Sequence, residues 1–174
     1  MTFRRTFRYG LCAARILCFL FALAWLSSCS DGLSPEDEIR LMIEKAERAA
    51  EERDLAALLT FVSDDYIDDQ GNSKQHIRGI LVFYFRHHRS IHILYAVKSI
   101  ELASPDVAEV GLAAALAGQP ISNEDDLAKL QADLLRFEIV FRRENGDDWR
   151  VTSAKWEPAG VGDFVLPWRP SSED

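Results

Sequence analysis

Apolar positions change their period once along this chain. The change separates a helical first half from a strand-rich second half. After Ser34-Pro35-Glu36-Asp37, residues Ile39, Met42, Ile43, Ala46, Ala49 and Ala50 recur at helical spacing. Ser34 is suited to capping, Pro35 to the first helical position, and the two acids to the positive end of the helix dipole. Arg40, Glu44, Lys45, Glu47, Arg48, Glu51 and Glu52 mix both signs of charge and read as the solvated face. Asp54 is placed to cap a second, short helix carrying Leu55, Leu58, Leu59 and Phe61. The run Asp64 to Gly71 breaks the period and reads as a turn-rich link. Ser73 then opens a third helix ending near His88, with Ile77, Ile80, Leu81 and Tyr84 as its buried stripe and Phe83 and Phe85 widening it.

From Ser90 the pattern becomes extended. Residues 91–102 are rich in β-formers, and Ser104-Pro105-Asp106 is a turn. Residues 107–117 predict a second strand, although Ala113, Ala114 and Ala115 make it unusually small-sided, which is compatible with either open space or close packing. Residues 118–130 read as a loop with a helical turn begun by Ser122 or Asn123. Leu135, Phe137, Ile139 and Phe141 alternate with Arg136, Glu138, Val140 and Arg142, the signature of a half-buried strand. Asn145-Gly146 marks a hairpin turn, and residues 149–156 return as the partner strand. Helices followed by a meander of strands predict an α+β fold, with N-terminal helices packed on a curved, mainly antiparallel sheet.

The first 28 residues follow a different rule. Arg4, Arg5, Arg8 and Arg15 precede an apolar run from Ile16 to Leu26, followed by Ser27-Ser28-Cys29. The run is shorter than the roughly 20 residues a membrane span needs. This layout is that of an export signal. Leu26-Ser27-Ser28-Cys29 resembles the lipobox of bacterial lipoproteins. That resemblance implies cleavage before Cys29, lipid on Cys29, and a membrane anchor. Ser30, standing where Asp commonly specifies inner-membrane retention, implies an outer-membrane location facing the periplasm. The expected organisation is a signal peptide over 1–28, a tether over 29–34, a domain over 35–158 and a tail over 159–174. The five residues from Ser30 to Ser34 reach about 17 Å at most, which would keep the domain against the membrane.

Charge narrows the list of partners. Removing residues 1–28 leaves 146 of the 174 residues, enough for one domain. The signal holds four of the 20 basic residues and none of the 28 acidic ones, so the remainder has 16 basic against 28 acidic residues, a net −12. Such a domain has no electrostatic attraction for nucleic acid, and none is expected as a partner. Cys12 and Cys18 lie in the signal, which leaves Cys29 alone and no disulfide to support the fold.

The order of elements resembles the nuclear transport factor 2-like superfamily, a cystatin-like α+β roll. The features that carry the likeness are the long first helix running into ERDLAALLTFVSDDY, the strand PDVAEVGL, and the hairpin LLRFEIVFRRENGDDWRVTSAKW with Trp149-Arg150-Val151 after its turn. It spans about residues 36–157. It implies a cone between sheet and helices in which ligands bind, and pairing through the sheet into a homodimer.

Candidate chemistry is sparse. His87, His88 and His92 invite a metal reading, but adjacent helical residues point about 100° apart, and a polar helix terminus explains them equally well. Asp64, Asp65, Asp68 and Asp69 lack the spacing of a calcium loop and read as a solvated turn. Asp65, Tyr66 and His76 are the catalytic candidates: a carboxylate–histidine pair facing the cone could transfer protons if buried. Trp149, Trp156 and Trp168 are packing residues or pocket walls, and Phe164 to Trp168 a potential interaction patch. No cofactor is expected. The leading expectation is a non-enzymatic, membrane-anchored binding module for a small apolar ligand or an envelope protein. An isomerase- or cyclase-like enzyme using the cone and a structural accessory of an envelope assembly are the alternatives.

Overall fold

The computed structural model describes residues 32–121, 124–127, 132–144, 146 and 148–165. Cys29, Asn145 and Trp168 lie outside them, as do residues 1–28, where a signal peptide is expected. The chain divides into two units, residues 1–34 and residues 35–174, and the second holds all the elements that follow. These are α1 (Pro35–Glu51), α2 (Leu55–Thr60), α3 (Lys74–His87), β1 (His92–Ser104), β2 (Val107–Ala117), α4 (Glu124–Leu127), β3 (Asp133–Glu144), β4 (Asp148–Pro158) and α5 (Gly162–Val165). The four strands form one antiparallel sheet in the order β1-β2-β3-β4. The α+β architecture expected from the change of period is the one observed.

Local chemistry sets the helix ends. Asp54 caps α2, its Oδ1 accepting the Ala57 amide at 2.9 Å. Between α1 and α2, Arg53 adopts a left-handed conformation at φ 59°. Its guanidinium donates to the carbonyls of Phe85 and Arg89, tying the α1–α2 corner to the end of α3. At the start of α3, His76 Nδ1 accepts the Ser73 amide at 3.1 Å.

Three irregularities bend the sheet. Lys98 and Ala103 in β1 and Thr152 in β4 are extra residues at register shifts, and such bulges increase local twist and curvature. The inner face of the sheet carries Tyr95, Val97, Ile100, Ala108, Val110, Leu112, Phe137, Ile139 and Phe141 against Ile39, Met42 and Ile43 of α1. Glu38 fixes the first turn of α1. Its Oε2 accepts from Arg143 Nη2 at 2.7 Å and from Trp149 Nε1 at 2.8 Å, while the Arg143 guanidinium lies 4.6 Å from the centre of the Trp149 ring. The other end of α1 is held where Glu51 Oε1 accepts the Ile93 amide at 2.9 Å.

Among the described residues, the outer face is covered at one end. Ala113 and Ala115 lie under Leu127 of α4 and Phe164 of α5, with Leu94, Ala96 and Leu134 around them. The tail is fastened there by polar contacts: Lys98 Nζ donates to the Phe164 carbonyl, and Arg136 pairs with Glu157 and, at 3.8 Å, with Asp163. Phe164 is therefore buried and not part of an exposed patch. The described part of the tail, residues 159–165, lies on the outer face.

The stripe expected on α3 is rotated. Ile80 and Phe83 are 47% and 64% exposed, whereas Phe85 is buried and Ile77, Leu81, Tyr84 and His88 are half-buried. The Arg53 contact to Phe85 and the hydrogen bond between the Tyr84 hydroxyl and the Asp133 carboxylate hold the helix along the Leu81–Tyr84–Phe85 side. Residues 80 and 83 fall on the opposite edge, at about 100° per residue.

Candidate functional site

Between α1, α2 and the inner face of the sheet lies a cavity of about 290 Å³. Met42, Ile43, Ala46 and Glu47 line it from α1, with Leu58 and Phe61 from the α2 segment. Ile93 and Tyr95 of β1, Leu112, Ala114 and Leu116 of β2, the β3 aromatics and Val151 complete the wall. Its surface is almost wholly apolar. Ala114 shows why β2 is small-sided: Cβ atoms alternate across a strand, so Ala114 leaves room in the cavity while Ala113 and Ala115 allow close cover on the other side.

Glu47 is the single ionisable carboxylate among the lining residues. This corrects its assignment to the solvated face. Glu47 stands four residues after Ile43, in the same helical row as the core positions, and that spacing was the available signal. It is half-buried and makes no hydrogen bond or ion pair with a described residue. Burial, followed by the nearby Glu51 and Glu44 carboxylates, pushes its pKa above the ordinary value, with Arg48 opposing. Tyr95, which sequence reasoning did not single out, is also half-buried at the cavity. Burial, then Glu47 and Glu44, raise its phenol pKa, against a lowering by Arg40.

None of the three catalytic candidates lines this cavity. Asp65 is exposed, and its amide bonds to Ser63 Oγ at 3.1 Å. Tyr66 is buried, and its hydroxyl is hydrogen-bonded to the Ala154 backbone; burial and then Asp68 raise its pKa to about 12. His76 is exposed at the start of α3, its Nδ1 occupied by Ser73. The acidic run is a turn built around Asp68. Asp68 accepts from the Gln70 amide at 3.0 Å, the Asn72 amide at 2.7 Å and Asn72 Nδ2 at 2.9 Å. His87 and His88 each bond back to the carbonyl four residues earlier and pack on Phe83 and Tyr84. Among the described residues no group of three or more His, Cys, Asp or Glu side chains is arranged to hold a metal ion. Trp149 is buried at the hairpin, bonded to Glu38 as described, and Trp156 is half-buried on β4.

Solved structures share the fold of this domain. Bd1075 of Bdellovibrio bacteriovorus superposes with a TM-score of 0.57 at 13% identity over 71% of this chain, which spans only 40% of that protein's length. A nuclear transport factor 2-like protein of unknown function in nutrient uptake from Rhodospirillum rubrum gives a TM-score of 0.52 at 19% identity, covering 70% of this chain and 98% of its own. The domain has the nuclear transport factor 2-like fold. A ketosteroid isomerase-like protein from Erwinia carotovora atroseptica also matches, with a TM-score of 0.54 at 13% identity, covering 74% of this chain and 99% of that one. Identities this low carry the nuclear transport factor 2-like architecture and no particular activity. No family model matches the chain, and no curated protein is similar to it in sequence.

Proposed function

We propose that this is a lipid-anchored binding protein of the bacterial envelope that holds a small apolar molecule in its cone. The observation that carries the reading is the 290 Å³ cavity with an almost entirely apolar wall. Asp65, Tyr66 and His76 serve the turn and helix start, which leaves a proton-transfer centre built on them without support. A purely structural accessory would have no need to leave this space beside Ala114. The anchor rests on the signal layout and on Cys29.

Two experiments test the two halves of this reading. Titration of the protein from Ser30 onward with the uncharged fluorophore N-phenyl-1-naphthylamine should give saturable, blue-shifted emission at one probe per chain. Absence of saturation removes the binding function. Growth with radiolabelled palmitate should label the full chain, and Cys29→Ser should lose the label and leave the membrane fraction. A Cys29→Ser protein that stays labelled and membrane-bound overturns the anchor.

A further inference from the structure

The exposed face of α3 has no part in the chamber, yet it is the most unusual surface of the domain. Phe83 and Ile80, 64% and 47% exposed, stand one turn apart on it. Every charged residue around them is basic. Residues 70–100 contain no Asp or Glu, but five basic residues and all four histidines of the chain. The other 11 of the 16 basic residues beyond the signal share the rest of the domain with all 28 acidic ones. Arg78, Arg86 and Arg89 are exposed, and their side chains make no hydrogen bond or ion pair with a described residue. Elsewhere Arg48, Arg136, Arg143 and Arg150 each meet a carboxylate. At about 100° per residue the exposed arc of α3 is centred on Gly79, with Phe83 and Ile80 to one side and Arg78 and Arg86 to the other. A Cβ at Gly79 would meet nothing within 4 Å, so the middle of this face is open.

Bulky apolar groups beside guanidinium groups on one exposed helix face match a surface of phosphates over hydrocarbon. Arginine forks fit phosphate oxygens, and Phe and Ile suit the boundary with the acyl chains. The tether from Ser30 to Ser34, about 17 Å at full reach, keeps such a surface beside the domain. The net charge of −12 does not oppose this contact, because charges more than about 8 Å away are screened at physiological salt. It turns the acidic remainder away from anionic lipid and α3 towards it.

We propose that α3 is a second membrane contact, docking its Gly79-centred face on anionic phospholipid. Phe83 and Ile80 enter the headgroup boundary, and Arg78, Arg86 and Arg89 hold lipid phosphates. The inference rests on the anchored reading above, since one helix face binds weakly from free solution and a tether raises its effective concentration. Each arginine at an anionic surface contributes about fivefold, so the three together favour anionic over neutral lipid by roughly 100-fold.

The test places a polarity-sensitive nitrobenzoxadiazole label at Gly79→Cys in the protein from Ser30 onward. That chain has no cysteine of its own and contains the whole unit that holds the described elements. An N-terminal polyhistidine tag holds it on vesicles bearing a nickel-chelating lipid, in place of lipid on Cys29. Emission should shift to the blue on phosphatidylcholine vesicles containing phosphatidylglycerol, return in molar salt, and stay unshifted on phosphatidylcholine alone. The pair Arg78→Gln and Arg86→Gln should weaken docking about 25-fold and abolish the shift, with helical circular dichroism unchanged. Phe83→Ser should also lose the shift; the ring is exposed, so the fold does not depend on it. A label at Asp106→Cys, exposed in the β1–β2 turn, should report water throughout. No shift on anionic vesicles, an equal shift on neutral ones, a shift that survives loss of both arginines, or an equal shift at residue 106 each overturns the proposal. Failure of palmitate to label Cys29 overturns the anchor instead and leaves this measurement unaffected, because nickel holds the protein here.

Discussion

The two faces of β2 show what one small-sided strand can do. On the inner face, Ala114 borders open apolar space beneath α1. On the outer face, Ala113 and Ala115 are both 0% exposed, covered by Leu127 and Phe164. Alanine is the same residue in both places, so the difference lies in what approaches it. The outer face is contacted by two four-residue helices that need flat ground. The inner face is spanned by a 17-residue helix that α2, Glu38 and Glu51 hold as a roof. Close packing and an apolar chamber therefore sit within one strand's thickness of each other.

Truncation on the outer face should break this contrast most severely. Phe164→Ala should cost about 3 kcal/mol in urea unfolding, because the buried ring covers alanines that cannot expand to fill its place. Probe binding on the inner face should persist below the transition; joint loss would mean that the two faces are not independent. Next in size is a paired enlargement. Ala115→Leu should destabilise by about 2 kcal/mol through overpacking. Ala114→Leu should cost less than about 1 kcal/mol and instead weaken probe binding, since it grows into space that exists. Equal costs at the two positions would show that the chamber collapses onto Ala114.

Acid sharpens the comparison away from the sheet. Burial alone would raise the Asp68 pKa, but hydrogen bonds from Asn72 and Gln70 overcome it and hold the carboxyl below its ordinary 3.8. A depressed folded pKa contributes stability that is full above 3.8 and fades as pH falls through the lower folded value. Unfolding midpoints measured from pH 6 to pH 2.5 should show this fall, and Asp68→Asn should flatten it. The smallest effect belongs to Glu47. Its raised pKa means that ionisation opposes folding, a contribution that is absent at low pH and grows as pH rises past the ordinary carboxylate value. Glu47→Gln should therefore leave stability at pH 7 unchanged or slightly raised. A loss of stability would make Glu47 a structural residue.

Much of the fold was legible because it rests on local rules. The helix start at Pro35, the Asp54 cap and the bounds of the second strand at Val107 and Ala117 follow from residues within one turn or one strand of each other. The rotation of α3 was not legible. Which of its apolar residues face inward depends on Arg53 reaching Phe85 and on Tyr84 meeting Asp133, contacts between residues 32 and 49 positions apart. Asp65, Tyr66 and His76 drew attention as a titratable cluster, yet three neighbouring titratable residues in a turn are also what a hydrogen-bonded corner requires. Glu47 was passed over because charge was weighed before its place in the helical row.

By itself the sequence determined the α+β order of elements and the acidic balance of the chain, and it carries the expectation of an export signal before Cys29. Periodicity, composition and caps are properties of neighbouring residues, and neighbours are what a sequence displays. The tertiary structure alone decided that the Ala-rich strand leaves space on one face and none on the other, that Phe164 serves the outer face, and that Glu47 and Tyr95 line one chamber. Each of those depends on residues brought together from separate elements, where the geometry of the whole fold determines which side chains meet and which are left facing a void.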